Sequence, residues 1–449
     1  MTVALDPVHL PTQLPAVTGA DLRVPLVTGG TTRAVNLDYA ASAPALADVA
    51  DHVARVLPYY SSVHRGAGYA SRVCTDLLEH ARATVAEFVG ARPGDVTVFT
   101  RNTTDALNLL ARAVPGAVLT LDIEHHANLL PWRNGPHRTL RAATTVEQTL
   151  DDLAAALDAT PTSLLAITGA SNVTGELLPL RTVVEIAHAR GTRVVLDAAQ
   201  LAPHRRVDLA VTGVDYLALS GHKLYAPYGA GVLVGRRDWL DRATPYLAGG
   251  GAVSAVTTTG ADWSAAPHRH EGGTPNLLGT VALARACRVL APVLDAAGPE
   301  HERALLERLD SGLADVPGVH TLRIWPDSPD RIAVVSFVVA DRPAGYVAAY
   351  LSAEHGIGLR DGKFCAHPLL ERLCPDGEAL RASLGLGSTA EDVDRLVDAL
   401  RALVTTGASW TYGPVNGRWA PTPDPRDLDP FGLGTVGRTD VRGCGSATG

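Results

Sequence analysis

Short apolar runs alternate with helical patterns through the first two thirds of the chain. The runs are continuous rather than alternating, which is typical of strands buried on both faces of a sheet. They cover residues 96–100, 117–122, 164–168, 193–197 and 214–220. Segments of helical spacing lie between them, for example 104–113 and 180–190. This alternation predicts an α/β domain with a mainly parallel sheet and right-handed crossovers, which we assign to residues 30–290.

The pattern changes after a long apolar helix predicted at residues 277–294. Separate helices and strands follow, at 300–313, 321–325, 332–339, 344–353 and 390–404. They predict a smaller α+β domain formed by residues 291–404 together with the N-terminal segment 1–29. Beyond residue 405 the chain is rich in Pro and Gly and has little periodicity, so we predict an irregular, partly disordered tail at 405–449. Trp410, Trp419 and Phe431 are candidates to pin this tail to the body.

Composition and charge narrow the class of protein. The chain has 449 residues, 46% of them hydrophobic and 19% charged, and its apolar runs are shorter than a membrane span requires. Its start lacks the basic and apolar regions of a secretory signal, so we expect a cytoplasmic protein. A net charge of -8 argues against a nucleic-acid surface. Five scattered cysteines do not form a disulfide framework or a paired zinc motif.

Lysine is nearly absent from the chain. Lys223 and Lys363 are the two lysines among 39 basic residues. Arginine can replace lysine where charge alone is needed, but an imine requires an amine that can lose its proton. Both lysines are therefore candidates for covalent chemistry, and the alternative is compositional drift that left two surface lysines.

Chemically useful side chains follow several predicted strands. Lys223, in Ser220-Gly221-His222-Lys223, comes after the strand at 214–220, at the carboxyl edge where open α/β sheets bind ligands. Asp197 ends another strand and can pair with a protonated pyridine nitrogen, although a turn or helix-cap role is the ordinary alternative. Thr103 and Thr104 precede a helix, where they can bind a phosphate or simply cap the helix.

His125 follows the strand at 117–122, in Glu124-His125-His126-Ala127-Asn128. An imidazole at that edge of the sheet can stack on an aromatic cofactor. A metal site is the alternative, but adjacent residues of an extended segment point apart and no third ligand has suitable spacing. We therefore predict no metal.

Nine motifs in one order carry a family resemblance. They are Leu37 to Ala41, Thr100 to Thr104, Glu124 to Asn128, Ser171 to Gly175, Asp197 to Gln200, Ser220 to Lys223, Gly272 to Asn276, Arg360 to Ala366, and Arg381 to Leu384. Over residues 36–404 the chain resembles the class V aminotransferase family, most closely its group II (SufS/CsdA-like) cysteine desulfurases. The resemblance implies the fold type I of enzymes that use pyridoxal 5'-phosphate (PLP).

The resemblance also implies a role for individual residues. Lys223 would form the internal aldimine, His125 would stack on the pyridine ring, and Asp197 would pair with its nitrogen. The remaining implied contacts are Asn172 and Gln200 beside the ring oxygen, Thr103, Thr104, Ser220 and His222 at the phosphate, Thr274 at the phosphate of a second subunit, and Arg360 and Arg381 at the substrate carboxylate. A shared phosphate site implies a homodimer.

The segment from Arg360 to Pro368 distinguishes between activities of this family. Group II desulfurases place a nucleophilic cysteine after an Arg-x-Gly turn, and here that residue is Cys365. Lys363 can favour its thiolate, because a neighbouring cation lowers the pKa of a thiol. The chain departs from the family pattern in having Lys363-Phe364 where two histidines are typical, and the tail has no counterpart. The alternative for Cys365 is a loop thiol without a task.

We therefore predict a PLP-dependent cysteine desulfurase that converts L-cysteine to L-alanine. Sulfur would pass to Cys365 as a persulfide and then to an acceptor, for which a sulfur-acceptor protein is a candidate. Other class V reactions remain open: cysteine or selenocysteine lyase, amino-acid epimerase or aminotransferase. A non-catalytic partner that binds through the tail is a further alternative. A dinucleotide site is weaker, because Gly229-Ala230-Gly231 lacks the required strand-turn-helix setting.

Overall fold

A computed structural model describes residues 14–328, 330–374 and 376–434 of the chain. The strands are β1 (Arg23–Pro25), β2 (Thr31–Arg33), β3 (Val35–Asn36), β4 (Val96–Thr100), β5 (Val118–Leu121), β6 (His137–Leu140), β7 (Leu164–Thr168), β8 (Arg193–Asp197), β9 (Tyr216–Ser220), β10 (Gly231–Gly235), β11 (Val253–Val256), β12 (Ala261–Trp263), β13 (Val319–Thr321), β14 (Val334–Val339), β15 (Ile357–Gly358), β16 (Arg360–Gly362), β17 (Ala379–Ser383), β18 (Tyr412–Val415) and β19 (Arg418–Pro421).

The helices are α1 (Ala47–Val56), α2 (Tyr69–Phe88), α3 (Thr103–Ala111), α4 (His126–Leu129), α5 (Val146–Ala159), α6 (Leu180–His188), α7 (Leu209–Thr212), α8 (Arg237–Arg242), α9 (Leu277–Leu294), α10 (Ala297–Ala314), α11 (Ala344–His355), α12 (His367–Leu373) and α13 (Ala390–Thr405). Short 3₁₀ turns cover Leu57–Tyr59, Pro131–Asn134 and His268–His270.

The large sheet has the strand order β4-β10-β9-β8-β7-β5-β6. Strands β9, β8, β7, β5 and β6 are parallel to one another, whereas β10 is antiparallel to both β4 and β9. The predicted α/β fold with a mainly parallel sheet is therefore confirmed. Strands β6 and β10 were not predicted. β10 returns from the Lys223 loop and fills the position between β9 and β4.

Both faces of the large sheet are buried, which explains the continuous apolar runs. Along β8, Val194 and Leu196 belong to one apolar cluster and Val195 belongs to another. Neighbouring β9 repeats the pattern, with Leu217 and Ala218 in different clusters. Successive side chains of a strand point to opposite faces, so the two clusters are the two sides of the sheet.

A second sheet, with the order β13-β14-β17-β16, is antiparallel throughout. Helices α10, α11 and α13 pack beside it around a separate apolar core. This arrangement agrees with the predicted smaller α+β unit. Strand β3, which lies in the sequence range assigned to the large domain, pairs with β15 near this sheet. The exact domain boundaries stay a prediction.

The strand predicted at 321–325 is wrong: the strand is β13, which ends at Thr321. Ile324 and Trp325 are buried, but their backbone N–H groups donate to the Glu176 carboxylate, at 2.6 and 3.1 Å. The indole of Trp325 donates to Thr149 Oγ1 at 3.0 Å. A carboxylate takes the place of a neighbouring strand here, so apolar character alone gave a false strand.

The prediction of an irregular tail is also wrong for part of the segment, because β18 and β19 form an antiparallel hairpin. The hairpin packs on α11. Trp410 donates its indole N–H to the Pro423 carbonyl at 2.8 Å, and Trp419 meets the Tyr346 ring edge-on with ring centres 5.5 Å apart. Both tryptophans thus belong to the docked part, whereas Phe431 is 84% exposed and does not pin the chain. Residues 435–449 lie outside the described residues.

Helix α9 is apolar and 18 residues long, so by length and composition alone it can cross a membrane. Of that stretch, 67% is buried inside the protein. The helix packs against α1, α2 and α10. A core helix of a globular domain passes the same length and composition test, and this packing accounts for the apolar sequence.

Candidate active site

The predicted site residues follow strands that end at one edge of the large sheet. Strands β5, β7, β8 and β9 are parallel, and β4 runs in the same direction because β10 is antiparallel to both β4 and β9. Their carboxyl ends therefore meet at one edge, where such sheets bind ligands. Asp197 ends β8, and the segments that follow the other strands contain Thr103, His125, Asn172 and Lys223.

Lys223 lies partly buried in the turn after β9, and several surrounding groups act on the pKa of its amine. Burial lowers its pKa from 10.5 to about 8, because a buried ammonium loses hydration. Within that net shift the Asp197 carboxylate acts in the opposite direction, whereas Arg381 acts in the same direction as burial. A substantial neutral fraction near neutral pH gives this amine the nucleophilicity that imine formation needs.

Asp197 is buried at the end of β8, and burial raises its pKa. Its Oδ1 accepts a hydrogen bond from the Ala199 N–H at 3.0 Å, and the charge of Lys223 favours the ionised form. A carboxylate in a site that excludes water suits a partner with a protonated ring nitrogen, since an unpaired buried charge is costly.

The His125 ring is neutral. Burial, then the charges of Lys223, His126 and Arg381, lower its pKa from 6.5 to about 3. Its Nδ1 accepts a hydrogen bond from the Ala127 N–H at 3.0 Å, at the start of α4. The ring proton is therefore on Nε2, and a neutral imidazole offers its flat face to an aromatic cofactor.

Glu124 belongs to the motif that contains His125, but the sequence did not predict a role for it. It is fully buried, and burial raises its pKa well above the usual value. Its two carboxylate oxygens accept from Asn128 Nδ2 at 2.7 Å and from the Thr168 N–H at 3.1 Å. These bonds tie the His125 segment to the end of β7, so Glu124 positions His125. The sequence signal for Glu124 is its position just after the buried strand β5.

The predicted phosphate residues of the chain have different surroundings. Ser220 Oγ lies 2.8 Å from both the backbone N and the hydroxyl of Thr103, at the N-terminus of α3. His222 Nδ1 approaches the Ser42 hydroxyl at 3.4 Å, and its pKa is lowered to about 4 by burial and by Lys223. Thr104, the second residue of α3, is exposed. The structure thus joins Ser220 to Thr103 at a helix N-terminus, which is a favourable place for an anion.

Thr274 is exposed on the loop before α9. Within the described part of the chain, Thr274 forms no side-chain hydrogen bond with the other residues predicted to bind phosphate. Its implied role at the phosphate of a second subunit stays a prediction.

Gln200 and Asn172 are buried beside the same edge. Gln200 Nε2 donates to the Ala40 carbonyl at 2.8 Å. Asn172 Nδ2 donates to the Phe364 carbonyl, also at 2.8 Å, and its own carbonyl accepts from Arg381 Nη1 at 2.9 Å. Asn172 therefore links the pocket to the Cys365 loop, a contact that the sequence did not predict.

Arg381, the predicted carboxylate ligand, is 3% exposed on β17. Its Nη2 forms an ion pair with Asp38 at 2.9 Å, while its Nε is buried without a hydrogen-bond partner among the described residues. Burial lowers its pKa, and Asp38 opposes that shift. The unpaired donor needs a polar partner, and a substrate carboxylate is a suitable one. Arg360 pairs directly opposite Arg381 on the neighbouring strand β16.

Cys365 lies in the loop between β16 and α12 and is partly exposed. A Cys365 thiolate raises the pKa of both Lys223 and Arg381, so the thiol lies within electrostatic range of the amine and the guanidinium. Phe364 and Cys365 have φ values of 50° and 55°, in the left-handed region. That region costs about 1–2 kcal/mol for each non-glycine residue. The loop is therefore held in place by its surroundings.

The donor set fits PLP. A lysine amine of lowered pKa, a buried carboxylate, a neutral imidazole, a hydroxyl at a helix N-terminus and a buried guanidinium with an unpaired Nε converge at one edge of the sheet. An aldehyde that forms an imine, a protonated pyridine, a phosphate and a substrate carboxylate would each find a chemically matched group.

Comparison with protein families supports this interpretation. The model of the family described as "Aminotransferase class-V" matches residues 35–396, which is most of the chain. The chain belongs to the class V aminotransferase family. Enzymes of this family use PLP, so the predictions of a PLP enzyme and of fold type I are confirmed.

Curated relatives are named as cysteine desulfurases. The chain is 38% identical over 359 residues to "Probable cysteine desulfurase 2" of Mycobacterium leprae, covering 76% of this chain and 85% of the relative. It is 36% identical over 358 residues to the cysteine desulfurase of Dickeya dadantii, covering 77% of this chain and 85% of the relative. A probable cysteine desulfurase of Mycolicibacterium paratuberculosis is 35% identical over 363 residues, which is 78% of this chain but 52% of that relative, so the chain spans about half of its length.

Two solved structures resemble the fold closely. The cysteine desulfurase of Thermococcus onnurineus has a TM-score of 0.76 and 30% identity, covering 83% of this chain and 94% of that one. The cysteine desulfurase CsdA of Escherichia coli has a TM-score of 0.72 and 30% identity, covering 87% of this chain and 96% of that one. The predicted resemblance to cysteine desulfurases is therefore confirmed.

Proposed function

We propose that this chain is a PLP-dependent cysteine desulfurase that converts L-cysteine to L-alanine and transfers the sulfur to Cys365. The desulfurase relatives support this activity. The observation that carries it is the common environment of Lys223, Arg381 and Cys365: the charges of Arg381 and Cys365 both act on the Lys223 amine. Amine, carboxylate ligand and sulfur acceptor thus lie in one electrostatic environment, as the proposed reaction requires.

The residues divide the chemistry between them. Arg381 binds the substrate carboxylate through its unpaired Nε. Lys223, whose pKa of about 8 allows both protonation states, accepts the α-proton and returns a proton to carbon. Bound PLP supplies an electron sink for the substrate carbanion. His125 and Asp197 would hold the ring face and the ring nitrogen, respectively.

The sulfur transfer balances without an external oxidant. Free cysteine and the Cys365 thiol give alanine and a Cys365 persulfide: the carbon–sulfur bond breaks as the sulfur–sulfur bond forms, and carbon takes a proton. An acceptor thiol then attacks the outer sulfur, which regenerates the Cys365 thiol and leaves a persulfide on the acceptor. Selenocysteine can follow the same route. The identity of the acceptor, a small thiol or a protein, is part of the proposal.

The proposal includes a homodimer with shared phosphate sites. Leu277, three residues after Thr274, packs in a small apolar cluster with Val56 and Val63. Large apolar side chains beside that cluster are exposed, and they are Leu57, Tyr59, Tyr60 and Tyr69. An exposed apolar patch of this kind marks an interaction surface, and a second copy that brings Thr274 to a phosphate would cover it. A cytoplasmic location likewise stays a prediction.

Cys365→Ser tests the activity. The variant should bind PLP and cysteine like the parent, because neither the Lys223 amine nor the Arg381 guanidinium changes. Alanine release should fall by about two orders of magnitude or more, since a hydroxyl is a much poorer sulfur acceptor than a thiolate. Alanine and protein-bound persulfide are measured after cysteine is added to the purified holoenzyme.

Cys374→Ser is the matched control. The Cys374 thiol is buried and points to the Leu370 and Glu378 carbonyls, so this variant should keep the parental rate of alanine release. Parental alanine release by Cys365→Ser would contradict sulfur transfer through Cys365. Pyruvate as the product of the parent would instead indicate a β-lyase, and α-proton exchange without carbon–sulfur cleavage would indicate an epimerase.

A further inference from the structure

Phe364 contacts two parts of the site that have separate tasks. Its ring lies against the guanidinium of Arg381, with Arg381 Cζ 5.1 Å from the ring centre. Its carbonyl oxygen accepts a hydrogen bond from Asn172 Nδ2 at 2.8 Å. The side chain is buried, with 4% of its surface exposed. One residue therefore touches the carboxylate ligand and belongs to the loop that carries the thiol.

Besides the Phe364 ring, the Arg381 guanidinium contacts the Asn172 carbonyl and the Asp38 carboxylate. Its bonds to the Asn172 carbonyl and to Asp38 use the two terminal nitrogens. The Phe364 ring beside Cζ restricts the tilt of the guanidinium plane and is itself attracted to the cation. The plane in turn sets the direction of the unpaired Nε. Phe364 thereby governs how Arg381 meets an incoming carboxylate.

The loop is held through its backbone. Adjacent carbonyls accept hydrogen bonds from pocket residues: that of Phe364 from Asn172, and that of Cys365 from the His126 N–H at 2.8 Å. Phe364 and Cys365 both have a left-handed backbone conformation, which residues other than glycine seldom adopt without such restraint. Asn172 also accepts from Arg381, so Arg381, Phe364 and Asn172 form a closed set of contacts.

We propose that Phe364 is a positioning residue that fixes the carboxylate-binding Arg381 and the Cys365 loop relative to each other. The inference rests on the proposed desulfurase function, because it assigns Arg381 to the substrate and Cys365 to the sulfur. Loss of the Phe364 ring therefore has two effects. Arg381 binds the carboxylate less well, and the Cys365 loop samples more conformations.

Phe364→Leu removes the ring and keeps an apolar side chain of similar reach. We expect KM for cysteine to rise about fivefold to thirtyfold, which corresponds to the loss of a desolvated cation–ring contact, while kcat falls less. The second readout does not depend on turnover: the rate at which iodoacetamide alkylates Cys365 should increase in the PLP-free protein. Peptide mass spectrometry distinguishes this thiol from the other cysteines.

Two further variants make the test specific. Phe364→Tyr keeps the ring face and should restore KM and the alkylation rate toward the parental values, also if Phe364→Leu proves too unstable to assay. Phe99→Leu is the matched control, because it removes another arginine–phenylalanine contact of similar length, that of Arg82 at 5.0 Å, outside this loop. It should leave both readouts unchanged.

Parental KM and parental alkylation of Cys365 in Phe364→Leu would overturn the positioning role, and so would equal losses in Phe364→Tyr and Phe364→Leu. These outcomes are distinct from failure of the proposed function. If the parent released no alanine from cysteine, the desulfurase proposal would fail, whereas the alkylation comparison would still decide whether Phe364 holds the loop.

Discussion

The Lys223 amine should titrate near pH 8 in the PLP-free protein. Burial lowers its pKa from the ordinary 10.5 to about 8, and Arg381 contributes in the same direction. At pH 7 the neutral fraction is then roughly 10%, compared with roughly 0.03% for an unperturbed lysine, a gain of about 300-fold. The amine is therefore prepared for imine formation before any cofactor binds.

Competitive labelling can measure this pKa directly, because the chain contains two lysines. The PLP-free protein is treated with trace acetic anhydride from pH 6 to 11, and acetylation of Lys223 and Lys363 is quantified in separate peptides. Lys363 is the internal reference. We expect the acetylation of Lys223 to rise with pH, with a midpoint near pH 8, and to level off about one pH unit higher.

Asp197→Asn is a second test, because the direction of its effect on the Lys223 pKa is predicted. The Asp197 carboxylate raises the pKa of Lys223, so its removal should move the midpoint below that of the parent. The same lowered pKa has a consequence for folding. Between about pH 8 and 10.5 the unfolded chain binds more protons at this lysine than the folded one, so stability should rise with pH in that window. A parental midpoint near 10.5, or an upward shift in Asp197→Asn, would refute the argument.

Three other changes test separate parts of the structure. Lys223→Arg should abolish borohydride-reducible attachment of PLP, because guanidinium does not form the imine, whereas Lys363→Arg should retain it; retention in Lys223→Arg would refute the assignment. In mixed dimers of Lys223→Ala and Thr274→Ala subunits, one site should carry both lesions and the other should be intact, giving about half of the parental activity per dimer; full activity of isolated monomers would exclude a shared site. Glu354→Gln should loosen the tail hairpin by about 1–3 kcal/mol, because that carboxylate accepts bonds from Ser409, Trp410 and Tyr412, and faster amide hydrogen exchange at residues 409–421 would show it.

Much of the site could be predicted because its residues follow strands. Apolar runs buried on both sides of a sheet are legible in the sequence, and parallel strands bring their carboxyl ends to one edge. Asp197 and Lys223 were assigned to that edge on this basis, and the structure places them within electrostatic range of each other. The scarcity of lysine directed attention to Lys223 independently of the fold.

Local pattern failed where a side chain replaced a regular partner. Trp325 has the apolar setting of a strand residue, but the Glu176 carboxylate takes its backbone N–H. Strand β10 was missed although it occupies an interior position of the large sheet. The tail hairpin was missed because its stability comes from contacts with α11, such as those of Glu354, rather than from its own pattern.

The sequence by itself determined which chemical groups are available and in what order along the chain: one acid at the end of β8, one amine after β9 and one thiol after the Arg-x-Gly turn. Tertiary structure decided how readily these groups ionise and how they are held in the site. The low pKa of Lys223 arises from burial among residues distant in sequence, and the left-handed loop of Cys365 is held by Asn172 and His126. Desolvation and long-range hydrogen bonds depend on what surrounds a residue, and a linear pattern does not contain that information.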